Sequence, residues 1–190
     1  MTFDLSTTTV NLDRALDRAL GSATAAGIWR LEAAKSTVEF RARTIWGLVP
    51  VRGSFRAVEG EGEVAADGAV AGSLIIRADS LDTGNAKRDA HLRGKDFFDA
   101  ENHPAIVVDV TGADRIGNAR LRVSAELQVL GSRRPVAFDA AVLALSDSSA
   151  QLRAELVIDR HEFGLSWNQL GMVGRKVTAL VVATFARELG

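Results

Sequence analysis

The sequence predicts an all-β domain of antiparallel strands, a barrel or a sandwich, with a helical extension in front and one helical connection inside it. Three observations predict it. From Ile28 onward, apolar residues recur at every second position, the period of a strand with one hidden face and one wet face. Turn residues punctuate these runs at Asp67-Gly68, Gly117-Asn118, Gly131-Ser132 and Ser146 to Ser149. A single stretch, Leu81 to Pro104, is both long and dense in charge.

In chain order, residues 1–27 differ from the rest of the chain and are read as an N-terminal extension, with 28–190 as the β-domain. After a polar Met1 to Thr9, Leu12, Leu16 and Leu20 fall at i, i+4 and i+8, with Ala15 and Ala19 beside them. Asp13, Arg14, Asp17 and Arg18 take the opposite face, and Gly21 is the stop signal, so Val10 to Leu20 is predicted to be a short amphipathic helix. Its expected role is a packing arm across the body or against a neighbouring subunit. Asp13 and Asp17 interrupt any secretory apolar core, and no run approaches the roughly 18 apolar residues of a membrane span. The expectation is a cytoplasmic protein without stable membrane insertion.

The clearest strands place Val38, Phe40 and Ala42 on one face; then Leu74, Ile76 and Ala78; Val123, Ala125, Leu127 and Val129; and Leu152, Ala154, Leu156 and Ile158. Further strands are predicted near 51–58, 62–67, 105–112, 136–144 and 176–187, with Gly60-Glu61-Gly62 read as an acidic turn. The last strand is mixed. Val177, Ala179, Val181, Ala183 and Phe185 share one face, but Leu180 and Val182 lie on the other, which calls for cover on both sides by a helix or by a partner in a homodimer. Within Leu81 to Pro104, Lys87 to Arg93 has room for two helical turns before Gly94, giving a short helical connection near 86–99. At about two dozen residues it far exceeds a hairpin loop, and such connections cap barrel mouths or carry function.

Composition narrows the chemistry. Of 190 residues 47% are hydrophobic but only 6% aromatic, with eight Phe, three Trp and no Tyr, so the apolar content is mostly Ala, Val, Leu and Ile. The 23 basic and 24 acidic side chains leave a net charge of −1, which disfavours a nucleic-acid partner. The absence of cysteine excludes disulfides, thiolate metal sites and cysteine nucleophiles. His91, His103 and His161 offer no i, i+4 pair, so no metal is assigned. There is no Gly-x-Ser-x-Gly elbow, and a hydrolase or isomerase acting on a lumen-bound substrate could use His91 and Asp89 as acid and base. Arg88, Asp89, His91, Arg93 and Asp96 are expected to pair with one another and with backbone ends. Asp159 and Arg160 are expected to secure a turn or a bulge, with Gly164 free to take positive φ. Phe97, Phe98, Phe163 and Trp167 read as core or lid packing, and Trp46, in Ile45 to Pro50, as a gate or a packing residue.

Several ordered motifs point further. Trp29 is followed by Ser36-Thr-Val-Glu-Phe40 and by Val51-Arg-Gly-Ser-Phe55. Asp79-Ser-Leu-Asp-Thr-Gly-Asn85 leads into Arg88-Asp-Ala-His-Leu92, Asp96-Phe-Phe-Asp99 and His103-Pro104. Glu126 to Gly131, Arg134-Pro-Val136 and Ile158-Asp-Arg-His-Glu-Phe-Gly-Leu165 complete the series. Over residues 28–187 the chain resembles the YceI-like, polyisoprenoid-binding proteins. It departs from many of them in having Thr44, within Arg41-Ala-Arg-Thr44, where they carry a histidine. The resemblance implies a lipocalin-like antiparallel barrel around an apolar lumen that holds an isoprenoid or other long-chain apolar ligand, without catalysis and without a cofactor. If the apolar parity faces inward, small residues such as Ala42, Ala78, Ala125, Ala140, Ala154 and Ala179 leave space in it. The expected ligand contacts are Phe40, Trp46, Phe55, Ile76, His91, Phe97, Phe98, Ala125, Leu127, Ala154, Leu156, Phe163 and Trp167. Arg88, Asp89 and Arg93 form a head-group or structural network. The alternatives are an enzyme acting on a lumen-bound molecule and a filled-core interaction module.

Overall fold

Alternating burial is clearest in the strand Arg120–Val129, where Leu121, Val123, Ala125, Leu127 and Val129 are all buried and the residues between them face outward. The computed structural model describes residues 5–21, 25–44, 49–167 and 173–188. Its strands are β1 (Gly27–Leu31), β2 (Thr37–Thr44), β3 (Val49–Phe55), β4 (Val58–Val64), β5 (Val70–Arg77), β6 (Leu81–Asp82), β7 (Ala105–Gly117), β8 (Arg120–Val129), β9 (Ser132–Leu145), β10 (Ser149–Asp159) and β11 (Val173–Arg187). All pair antiparallel, in the order β1-β4-β5-β7-β8-β9-β10-β11-β2-β3-β6. Because β1 also pairs with β11, through Leu31 opposite Phe185 and Trp29 opposite Arg187, the sheet closes on itself. Closure decides for a barrel over a sandwich.

The barrel has eight strand positions, because three of them are each occupied by two short strands in succession. β1 and β2 both lie along β11, on either side of a 3₁₀ turn at Ala33–Lys35. β3 and β4 follow them across a break at Arg56-Ala57, and β5 and β6 are separated by a 3₁₀ turn at Ala78–Ser80. The breaks are neighbours: the Arg56 N–H donates to Ser80 O at 3.2 Å and the Arg77 N–H to Ala57 O at 3.0 Å. At the first break Thr184 of β11 is buried and takes over the ladder. Its N–H donates to Ser36 Oγ (3.0 Å), its hydroxyl donates to Lys35 O (3.0 Å), and its carbonyl accepts from Glu32 N–H (2.8 Å). This turn covers one end of the outer face of β11; Leu180 and Val182, farther along, are half-buried.

Four local expectations are corrected. The helix α1 (Leu5–Gly21) begins five residues before Val10, within the polar stretch. The run 51–58 is not one strand, because it breaks at Arg56-Ala57. Gly60-Glu61-Gly62 is the middle of β4 rather than a turn. A Cβ on Gly72, which faces Gly62 across the β4–β5 ladder, would stand 2.7 Å from Glu61 O, so these glycines permit a tight coil that side chains would prevent. Ala78 leaves the alternation for the 3₁₀ turn and is 1% exposed, so it fills the wall instead of bordering the lumen.

The long connection folds as expected around a helix, α2 (Ala86–Arg93). Asn85 caps it, its side chain accepting from the Arg88 N–H at 3.1 Å, and the Gly94 N–H closes the last turn on His91 O at 3.1 Å. Two apolar clusters occupy the two ends of the barrel. Phe55, Leu81, Leu127 and Phe163 centre the one beneath the connection. Leu16 of α1 joins Leu121, Val123, Ala140 and Val142 in the other.

Candidate functional site: an apolar cavity in the barrel

The inward residues of the strands do not meet in the middle. They enclose a cavity of about 550 Å³, within the range of about 300–1,000 Å³ usual for ligand pockets. Its walls are the alternating residues of β2 (Val38, Phe40, Ala42), β10 (Leu152, Ala154, Leu156, Ile158) and β11 (Val177, Ala179, Val181, Ala183, Phe185), with Val123, Leu127 and Val129 of β8 opposite. The space exists because Ala42, Ala140, Ala154 and Ala179, with Gly62 and Gly72, stand where larger residues would fill a barrel of this strand number.

One end is closed by α1, through Leu16, Ala19 and Leu20. The other lies beneath the connection and the 3₁₀ turn Arg160–Phe163, and is ringed by aromatic side chains. Phe40 meets Phe55 (5.7 Å between centroids), Phe55 meets Phe98 edge-on (5.9 Å), Phe98 meets Phe97 (6.4 Å) and Phe97 meets Trp167 (5.7 Å). His91 completes the series against Trp167 at 4.5 Å and Phe97 at 5.8 Å. Edge and tilted contacts suit the charge distribution of such rings.

Polar side chains of the connection and of the 3₁₀ turn gather at this aromatic end. Arg160 is 2% exposed. Its Nε donates to Gly174 O (2.9 Å), Nη1 to Trp167 O (3.0 Å) and to Leu165 O, and Nη2 to Val173 O (3.3 Å), with the guanidinium 5.8 Å from the centre of the Phe97 ring. Burial lowers its pKa from the ordinary arginine value, and Asp159 opposes that shift. Asp159 caps the turn by accepting from the His161 N–H (3.1 Å). Hydrogen bonding from Arg175 (2.7 Å), with desolvation opposing, holds its carboxyl below the usual carboxylate range. Gly164 ends the turn at φ +82°. Arg88 and Asp89 form a tight network on Thr83. Arg88 donates to its hydroxyl (2.7 Å) and its carbonyl (3.0 Å), while the buried Asp89 accepts from the Thr83 N–H (3.0 Å) and hydroxyl. Arg93 donates to Leu81 O. Three nitrogens at this end, His91 Nε2, Arg93 Nε and His161 Nε2, are buried with no hydrogen-bond partner among the described residues, and of these three residues His91 alone borders the cavity. A group left this way costs free energy until something bonds to it.

The structure brings Phe40, Phe55, Ile76, Arg88, His91, Phe97, Phe98, Leu127, Ala154, Leu156, Phe163 and Trp167 together around the cavity. Ala125 is buried on the inward face of β8 but does not border the space, because its cross-strand neighbours Val110 and Val136 do so instead. Asp89 and Arg93 serve the connection and are not part of the wall. Trp46 lies outside the described residues. Sequence reasoning missed Arg160 as a wall residue, and also the glycines. Val58, Gly60, Gly62 and Val64 share one parity, a signal that β4 continues through its glycines. Among the described residues no three His, Asp or Glu side chains gather as metal ligands, and no helix is long and apolar enough to cross a membrane.

Comparison with known proteins places the chain. A UPF0312 protein of Vibrio cholerae is 28% identical over 109 residues, 56% of this chain and 57% of that protein, so the match spans little more than half of the relative. Burkholderia cenocepacia BcnA shares the fold with a TM-score of 0.74 at 21% identity, over 81% of this chain and 98% of that one. A polyisoprenoid binding domain from Saccharophagus degradans superposes with a TM-score of 0.68 at 17% identity, over 84% of this chain and 98% of that one. The YceI-like domain matches residues 29–185, which is most of the chain and nearly all of the barrel. The chain belongs to the YceI-like domain family.

Proposed function

We propose that the protein binds and carries an apolar chain, a polyisoprenoid or a similar lipid, in the barrel cavity without altering it chemically. The observation that carries this reading is the cavity itself, about 550 Å³ with walls almost wholly of apolar side chains. An apolar cavity of about 150 Å³ takes up benzene, so this volume suits a chain of roughly twenty carbons. Burial of each methylene contributes about 0.8 kcal/mol, and association and ordering costs offset part of the sum. The Saccharophagus degradans neighbour, a polyisoprenoid binding domain of the same fold, supports the choice of ligand class. Catalysis by Asp89 and His91 would require both to face the ligand, whereas Asp89 is bonded to Thr83 away from the wall, which favours carriage. The proposal extends to a cytoplasmic setting and to a homodimer through the outer face of β11, beside which Val157 is 55% exposed. Cell fractionation and light scattering check these two points.

Organic extraction of purified protein followed by mass spectrometry tests the main reading, together with titration by prenyl and acyl alcohols. A co-purifying lipid or saturable uptake is expected. Neither one being found would overturn carriage.

A further inference from the structure

We propose that α1 is the stop that sets how long a chain the cavity accepts, with the ligand's apolar tail against Leu16 and Leu20 and its polar end at His91. The inference rests on the carrier reading and adds to it an orientation and a length limit.

α1 lies outside the residues matched by the family domain and outside the sheet, yet it forms the end wall of the cavity. Leu16 is 4% exposed and packs with Leu121, Val123, Ala140 and Val142, while Ala19 and Leu20 reach the same space. The helix is fixed in place by two hairpins. On the β7–β8 hairpin, the Ala119 N–H donates to Asp13 at 2.8 Å, and Arg115 pairs with Asp13 at 3.0 Å and with Asp17 at 2.9 Å. On the β4–β5 hairpin, Gly68 at φ +86° approaches the last turn so closely that a Cβ there would stand 2.0 Å from Leu20 O. Only glycine permits that approach.

The two ends of the cavity differ chemically. At α1 the wall is built from Leu16, Ala19 and Leu20 over Leu121 and Val142, with no polar side chain among them. At the far end stands the buried, unpartnered Nε2 of His91. A hydroxyl or carbonyl placed there gains a hydrogen bond, whereas the same group placed at α1 would lose its water for nothing. An amphiphile with one polar end therefore has one favourable direction. Its tail then runs toward α1 past the inward residues of β11 from Val177 to Phe185, eight steps along the strand. That is a rise of about 26 Å, or about 20 Å along the axis of a barrel with ordinary strand tilt. Leu16 and Leu20 stand at the end of that path.

The test is the affinity of a homologous series of straight-chain alcohols for the full chain, measured by displacement of a fluorescent fatty-acid probe. For the wild type, each added methylene should tighten binding about fourfold until the tail meets α1, after which the gain stops. Leu16→Ala with Leu20→Ala should move that break to chains longer by about two to three carbons, and Leu16→Phe should move it to shorter ones, with circular dichroism confirming the fold of each. Loosening of the barrel cannot shift the break in opposite directions. If the double variant fails to fold, Leu20→Ala alone, at a half-buried side chain, makes the same test. His91→Phe should weaken every alcohol by about tenfold and leave the break where it was. A break unmoved in folded variants, or moved the same way by both, overturns the stop. An unchanged alcohol affinity in His91→Phe overturns the orientation. If the wild type takes up no alcohol at all, the carrier reading falls first and the length limit with it; a wild type that binds without a break leaves carriage standing and refutes α1 as the stop.

Discussion

Replacing Arg160 by Met removes a cation that ties together the two sides of the 160–174 segment. Its guanidinium donates to the carbonyls of Leu165, Trp167, Val173 and Gly174, and its side chain is among the most deeply buried in the protein. Hydrogen bonds from a charged donor contribute about 1.5–3 kcal/mol each, so four amount to roughly 6–12 kcal/mol before costs. Against this stands the desolvation of a guanidinium, several kcal/mol, and the contacts Met retains with the Phe97 ring. The expected loss is about 3–5 kcal/mol, which is large beside a typical total stability of about 5–15 kcal/mol. Arg160→Lys should recover little of it, because a point-like ammonium on a shorter fork-free stem cannot reach four carbonyls spread over ten residues of chain. Urea denaturation followed by far-ultraviolet circular dichroism measures both variants. A change below about 1 kcal/mol in Arg160→Met, with an unchanged m-value, would show that the four carbonyls are as well served by water and would refute the structural role derived for the cation.

Two further outcomes are expected. Ala154 borders the cavity between its cross-strand neighbours Ala140 and Val181, so Ala154→Phe should reduce alcohol or prenol uptake at least about tenfold while the melting temperature stays within a few degrees, since the ring enters space that is already there; unchanged uptake in the folded variant would remove Ala154 from the binding surface. Asp159 is held below the usual carboxylate range chiefly by Arg175, Asp82 chiefly by the Gly84 N–H and then Arg56, and Asp79 chiefly by Arg77. Groups whose folded pKa is depressed contribute stability that is present above their unfolded pKa of about 3.9 and is lost as pH falls through the lower folded values. Stability should therefore hold from neutrality down to about pH 4–5 with respect to these groups and fall below it, and Asp159→Asn should flatten that acid limb; an acid limb identical to that of the wild type would exclude Asp159 as a contributor.

The parts of this fold that were legible in the sequence are those decided by neighbours in the chain. Strict alternation in Leu121 to Val129 has a single reading as a half-buried strand, and Asn85, with Gly94 beyond, frames α2 by local capping. What escaped was decided at long range. Arg160 sits among turn residues and next to a carboxylate, the usual surroundings of a solvated side chain, and only carbonyls up to fourteen positions away bury it. Gly60 and Gly62 read as a turn because glycine commonly breaks strands; that they stay in β4 depends on the close approach of β5. Ala78 leaves the alternation where the chain bends into the 3₁₀ turn, and Ala125 kept its inward direction while its cross-strand neighbours Val110 and Val136 border the space. The aromatic ring at the far end was visible as separate residues, Phe40, Phe55, Phe97, Phe98 and Trp167, but their mutual contacts depend on how the connection folds over the barrel.

Trp29 and Trp167 stand on the wall of the same cavity, Trp29 toward the α1 end and Trp167 against His91. With three Trp and no Tyr in the chain, ultraviolet emission comes from indole alone. An occupant running the length of the barrel would alter the surroundings of two emitters at once, one beside its tail and one beside its head. Trp29, whose Nε1–H is already committed to Ala25 O at 3.0 Å, would respond mainly to displaced space; Trp167, edge-on to the His91 imidazole, would respond also to the polar group that approaches that ring. The barrel thus contains its own optical gauge, in which the two ends of a guest are read by different physics.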